Sequence, residues 1–500
     1  GFTIFSPDNN SFKNFTHSPQ NKNSLPDNTI HSIFVDTNSK IWIATNCGLS
    51  LFDPFRETFR NFKDVSGIHY TMQGAVYNVY STSDGRIWVG TVSDLCYFDS
   101  KDTDLILSGK KNVNHMFIQD IYWGISNPTV YCVFEDSFKN IWIGSNGGGA
   151  SFISSTSSFF HSWRINKIPG VTNGLNDKEV LTICVADNGN VWMGTDGGGI
   201  NVNIDGKNCM FYSHDTGDIS SNAYHSSLKD SNGDLWFGNM YNEMGIDVFI
   251  SKEDRFIHYT PQGNGSVIYC LFEDNQRNVW IGSSNGLEIY NLITKKKDFL
   301  NKENSQLLTN EIRALSQDKN GNIWIGTLNK GISIYNPESK TMKHINEHTI
   351  FENCVINQIF RDSKNRIWIA TTEGLVLFPN EQSDTYQLFN TQNGLACNLV
   401  CSIEEDSEGN IWLSTHSGIS CFFEPEKRFL NYDHKDGTLF GTYMNNSVGK
   451  AQDGTIYFGS INGVCYFNPK DRPSNIILPP VIFTDFKVYG RKPHEDAIDT

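Results

Sequence analysis

Along this chain one hydrophobic pattern keeps returning: apolar, aromatic, apolar, small, then a short polar residue. It reads IWIAT at Ile41, IWVGT at Ile87, IWIGS at Ile141, VWMGT at Val191, LWFGN at Leu235, VWIGS at Val279, IWIGT at Ile323, IWIAT at Ile367, IWLST at Ile411 and IYFGS at Ile456. The aromatics stand at 42, 88, 142, 192, 236, 280, 324, 368, 412 and 457, so the intervals are 46, 54 and 50, then 44 five times and 45. Asp lies six residues before the aromatic in seven copies (Asp36, Asp136, Asp230, Asp274, Asp318, Asp362, Asp406), and Gly often three before, as at Gly85, Gly233 and Gly321. An Asp carboxylate bonds the backbone of its own turn and Gly accepts left-handed backbone, which together join two antiparallel strands tightly. An apolar strand therefore precedes each Trp strand. After it come Gly, an alternating run that ends on an aromatic (Phe52, Phe98, Phe152, Tyr290, Phe378, Phe422, Phe467), and a fourth segment such as RFIHY or RFLNY.

Four antiparallel strands at a period near 44 predict an all-β chain of β-propeller blades, with no helix called for. Each repeated Trp is expected between blades, burying about 150–250 Å². Rings close with about four to eight blades, so ten copies predict tandem propellers. The seven regularly spaced copies from Trp192 to Tyr457 are expected to form one seven-bladed ring over residues 169–470, joined near Trp163 to Asn176 to an N-terminal propeller over 1–168. The opening GFTIFSPDNNSFKNF reads as the second half of a blade, so the first ring is expected to be incomplete in this chain. Residues 471–500 drop the repeat and open a different domain, too short here to bury a core.

The combination D-x-x-G-N-I-W-I-G-T followed by Gly-Leu and an aromatic, best met at Asp318–Thr327 and Asp406–Thr415, closely resembles the two-component regulator propeller repeat. The tail LPPVIFTDFKVYGRKP is similar to the opening strand of the Tyr-rich β-sandwich that follows those repeats in that family. The resemblance implies the periplasmic sensor region of a Bacteroidetes hybrid histidine kinase and response regulator. It implies an oligosaccharide ligand that controls glycan-utilisation genes, a homodimer formed through the full-length receptor, and an inner-membrane anchor through a helix beyond Thr500. Kinase activity would belong to downstream domains. Thr82, Ala186 and Ala451 replace the turn Asp, and Tyr457 replaces Trp.

Composition narrows the function classes. Hydrophobic residues at 38% support packed cores, and a net charge of −15 without a Lys/Arg cluster argues against direct contact with nucleic acid. No apolar run reaches the 18 or so residues of a membrane helix, and no signal segment opens the chain. No HExxH, GxSxG, Walker loop or paired CxxC occurs, so no catalytic residue, metal ligand or cofactor is expected, although carboxylate pairs converging from different blades would not show in spacing. The GGG triplets at Gly147 and Gly197 lie between strands and read as tight links. Of eleven cysteines, Cys132, Cys184, Cys270 and Cys401 sit on the strand before the Trp and read as small buried hydrophobes.

An internal comparison supplies candidate binding residues. Eleven residues before each aromatic stand His31, Tyr77, Tyr131, Leu181, His225, Tyr269, Arg313, Asn357, Cys401 and Asn446, whereas the preceding residue is usually Ile or Val. This column begins the strand nearest the central channel, so it is expected to ring one channel mouth. Tyr269, Arg313, Asn357, His225, Asn446 and Tyr131 offer the aromatic faces and directed hydrogen bonds that sugars require; the plainer reading is that they solvate an empty channel. Trp163 aligns with the fourth-strand aromatics Tyr259 and Tyr432, leaving Trp123 alone outside the repeat, as a sugar platform, an inter-propeller contact or simple loop packing. Sensing is weighed against a propeller lyase or hydrolase and against a protein-interaction scaffold.

Overall fold

The computed structural model describes residues 1–472 apart from 37, 63–73, 109, 112, 117–124, 126, 154, 156–158, 166–173, 205–207, 242–244, 263–265, 347–348 and 381–384. The tail expected to open a β-sandwich lies outside the described residues. The described chain forms two compact units, Gly1–Ser155 and Thr156–Arg472.

The larger unit is a ring of seven four-stranded antiparallel sheets. The Trp280 blade shows the pattern: Ile268–Glu273, Asn278–Ser283, Leu287–Asn291 and Lys297–Leu300 pair in sequence order. Equivalent meanders begin at the inner strands Val180–Val185, Tyr224–Lys229, Ile312–Gln317, Ile356–Arg361 and Val400–Glu405. The seventh sheet takes its outer strand from the opposite end of the unit. Tyr443–Lys450, Ile456–Ser460 and Gly463–Phe467 come from one end, and His161–Trp163 pairs against the last of these, His161 opposite Tyr466 and Trp163 opposite Val464. The unit therefore starts at Thr156, ahead of the boundary expected at 169, because that early strand is hydrogen-bonded into the last blade. Val180, Ile183, Val191 and Met193 of the first blade pack with Trp163, Tyr457 and Val464 of the last, and the Ser447 hydroxyl donates to the Val180 carbonyl at 3.1 Å, closing the ring.

Between blades lies the Trp layer. Trp280 packs with Leu287 of its own sheet and with Ile312, Leu315, Ile323 and Ile325 of the next. The Asp six residues before it does more than shape a turn. Asp274 Oδ1 accepts the N–H groups of Gln276 and Asn278 at 2.8 and 2.9 Å, while Oδ2 accepts the Trp280 indole N–H at 2.8 Å. One carboxylate thus satisfies the turn and a buried donor, which would otherwise cost about 1–3 kcal/mol unpaired. Neighbouring blades are also clasped through the last residue of an inner strand: Glu405 accepts the Ser363 N–H at 2.7 Å and its hydroxyl at 2.6 Å, and Glu135 does the same for Ser83 at 2.8 and 2.8 Å.

The smaller unit has a two-stranded sheet (Phe2–Ser6 with Ser11–Phe15), four-stranded sheets opening at Ile30–Val35 and Val76–Ser81, and a three-stranded sheet of Val130–Glu135, Ile141–Ser145 and Gly149–Ile153. A short α-helix, Thr103–Leu107, occupies the long interval between Trp88 and Trp142, where no helix was expected. Two further expectations fail in the three-stranded sheet: Trp142 is 44% exposed, and Cys132 is exposed rather than buried. Trp42 and Trp88 are each covered by the following sheet, whereas no following sheet of this unit covers Trp142 among the described residues. Among the described residues no disulfide joins any of the cysteines.

Candidate functional site

In every blade the residue of the variable column is the one the strand ladder skips. Ile268 pairs Ser283 and Cys270 pairs Gly282, so Tyr269 has no cross-strand partner; His225, Arg313, Asn357, Cys401 and Leu181 occupy the same bulge in their blades. His31, Tyr77 and Tyr131 repeat it in the smaller unit. The last blade exaggerates it, the register jumping from Tyr443 to Val448 with Asn446 in left-handed backbone at φ 55°. A bulge inserts one unpaired residue, bends the strand and re-aims a side chain, and bulges are enriched beside functional sites. This explains how the column can vary while its neighbours stay apolar: the ladder does not fix these residues, and each side chain takes the direction its own surroundings allow.

In three successive blades of the ring the bulge residues touch. The Arg313 guanidinium lies over the Tyr269 ring at 3.6 Å, and Tyr269 meets the His225 imidazole edge-on at 5.7 Å between centroids. Three polar atoms in this cluster, His225 Nδ1, Arg313 Nε and Glu311 Oε2, are buried without a hydrogen-bond partner, and the Arg313–Glu311 approach is a loose 3.8 Å. Burial, reinforced by the Arg313 charge, lowers the His225 imidazole to a pKa of about 4, so it is neutral at physiological pH. A neutral ring nitrogen, a guanidinium and a carboxylate offer both donors and acceptors beside an aromatic face, a set suited to hydroxyl-rich molecules.

The remaining column members diverge. Asn357 is buried and donates to the Val400 carbonyl at 2.7 Å, and Leu181 and Cys401 are buried, so these three face packing rather than solvent. Asn446 lines an open cavity of about 820 Å³ bordered by the inner strands, with Phe272, Glu273, Gln317, Gln358 and Arg361 among its walls. In the smaller unit His31, Tyr77 and Tyr131 form an edge-to-face ladder with centroids 4.9 Å apart at each step. Trp123 lies outside the described residues. The bulge itself was missed by sequence reasoning; its signal was the column's chemical variability.

Other chemistry is sparse. Burial pushes the thiols of Cys184, Cys354 and Cys465 up to about 12, which keeps them protonated. Among the described residues no group of three or more His, Cys, Asp or Glu is placed to hold a metal ion, and no helix is long and apolar enough to cross a membrane.

Comparison with known proteins places these features. The family model described as "Two component regulator propeller" matches residues 24–47, 72–93, 124–147, 174–197, 262–285, 306–329, 350–373 and 394–417, segments that carry the bulge and the Trp strand. The extracellular domain assigned to a hybrid two component system, BT3049 of B. thetaiotaomicron, is 34% identical with a TM-score of 0.77, over 99% of this chain and 63% of that one. A second such domain, BT4673 of the same organism, is 17% identical with a TM-score of 0.52, over 93% of this chain and 67% of that one, a likeness of fold. Histidine kinase P4 of Formosa agariphila is 23% identical over 157 residues, 30% of this chain and 10% of that protein. The chain thus spans just under two thirds of the BT3049 domain and a tenth of the kinase. Eight segments across both units thus carry the two component regulator propeller repeat.

Proposed function

We propose that this chain is the extracytoplasmic sensing region of a hybrid two-component receptor, and that it binds an oligosaccharide at the channel mouth beside the bulge residues His225, Tyr269 and Arg313 of the larger unit. The observation that carries the site is the His225–Tyr269–Arg313 cluster: three contiguous bulge side chains, freed from the ladder, with buried polar atoms that lack partners. A sugar would stack a C–H face on Tyr269 and offer hydroxyls to Arg313, Glu311 and His225. The family supports the sensing role, and the 34% identity to an extracellular domain supports a location outside the cytoplasm. In this reading the receptor is anchored in the inner membrane with these propellers in the periplasm, works as a dimer, and leaves phosphoryl transfer to other domains. Ligand binding shifts the population between receptor conformations.

The region acts as a binder rather than a catalyst. A streptogramin B lyase shares the fold at 13% identity and a TM-score of 0.50, which is similarity of architecture alone. Calorimetric titration with purified oligosaccharides, beside assays for new reducing ends or unsaturated sugars, tests both parts. Binding lost in Tyr269→Ala and Arg313→Ala, with no turnover, is the expected result. Unchanged affinity in both variants would remove the site from the channel mouth.

A further inference from the structure

Nine of the ten repeats carry Trp at the aromatic position, and their indole N–H groups are a test of the layer's chemistry. Seven donate to the Asp six residues earlier at 2.8–3.2 Å, and Trp88 donates to the Thr82 hydroxyl at 3.3 Å. The tenth repeat lacks both partners together, Ala451 standing with Tyr457. Trp192 breaks the rule: its Asp is replaced by Ala186, and its Nε1, on a side chain only 5% exposed, has no acceptor. The turn survives because the Asn188 side chain accepts the Asn190 N–H at 3.0 Å.

At this place the structure holds a cavity of about 560 Å³ between the first two blades of the larger unit. Ala186, Trp192 and Asn188 line it on the side of the missing carboxylate, and Met210, Ile204 and Tyr212 supply apolar and aromatic wall. Its charged neighbours are balanced. Asp187 is held by Lys229 at 2.7 Å, and Lys252 and Asp254 both stand at the rim. In seven other repeats this spot is occupied by a carboxylate from the chain itself.

We propose that this cavity is a binding site for a small organic acid with an apolar body, whose carboxylate takes the place of the absent Asp. One oxygen accepts the Trp192 indole N–H, and the apolar body lies against Met210, Ile204 and Tyr212. The site is separate from the channel mouth and does not rest on the sensing assignment.

The test uses acetate and benzoate as probes against chloride at matched ionic strength, following the ¹H–¹⁵N indole resonance of Trp192, identified by its loss in Trp192→Phe. Both carboxylates should shift that resonance saturably, with benzoate binding at least about tenfold more tightly because its ring meets the apolar wall. Ala186→Asp, which restores the residue found in seven other repeats, should move the resonance by itself and abolish both responses. Asp318→Ala should create an acetate response at Trp324. No shift in the unaltered protein, a shift retained in Ala186→Asp, or equal affinity for acetate and benzoate would each overturn the proposal.

Discussion

Trp142 and Trp280 occupy the same place in the repeat and make the same bond to an Asp carboxylate, at 2.9 and 2.8 Å. Yet Trp142 is 44% exposed and Trp280 is 1% exposed. The repeat supplies the bond; the neighbouring blade supplies the burial. Since most of a Trp side chain's contribution comes from excluded water and packing, two residues with identical local chemistry should differ several-fold in what they contribute.

The sharpest way to break that comparison is truncation. Trp280→Ala should cost about 3–5 kcal/mol by opening a cavity between blades, whereas Trp142→Ala should cost about 1 kcal/mol or less. Hydrogen exchange resolves the two units where a single melting curve would blur them. Equal costs would mean that Trp142 is covered in solution.

Next in size comes the carboxylate. Asp274→Ala strands the Trp280 indole and two turn N–H groups together, so a loss of about 2–3 kcal/mol is expected in chemical denaturation. Combined with Trp280→Phe, which removes the indole donor, part of that loss should disappear, and strict additivity would show that the bond contributes nothing.

A smaller effect separates the channel column from the Trp layer through pH. His225 has its pKa lowered to about 4 in the folded protein by burial and by Arg313, against about 6.5 unfolded. The unfolded chain therefore binds the extra proton between these values. The stabilisation from neutral His225 is complete above about pH 6.5 and is lost as pH falls toward 4, by about 2 kcal/mol at pH 5. His225→Gln should flatten that part of the stability profile. A profile unchanged by the substitution would mean that the imidazole is freely solvated.

The smallest expected change is in the stability of Tyr269→Ala. The ring stacks with Arg313 and touches His225, but it lies on a bulge rather than in the inter-blade layer, so the cost should be about 1 kcal/mol or less. A loss as large as that of Trp280→Ala would place Tyr269 in the structural layer and take it out of the proposed site.

The sequence by itself determined the blade. Alternation of period two, Asp and Gly at the turns and a Trp every 44 residues are local instructions, legible from one copy and confirmed by ten. It also marked the column at His225, Tyr269 and Arg313, through variation at a position whose neighbours stay apolar. Tertiary structure decided the rest, because the deciding partners are distant in the chain. His161–Trp163 finds its partner strand about 300 residues later, at Gly463–Phe467. That choice comes from ring closure, which no local pattern encodes. The bulge at Tyr269 is a property of two strands in register, visible only once Ile268 and Cys270 have chosen Ser283 and Gly282. Asn357 and Tyr269 share a column, yet one is tied to the Val400 carbonyl and the other is free to meet Arg313, because the next blade fills the space differently. Ala186 read as a variant turn residue; that it leaves the buried Trp192 indole N–H without an acceptor shows only where the turn folds back over the Trp strand.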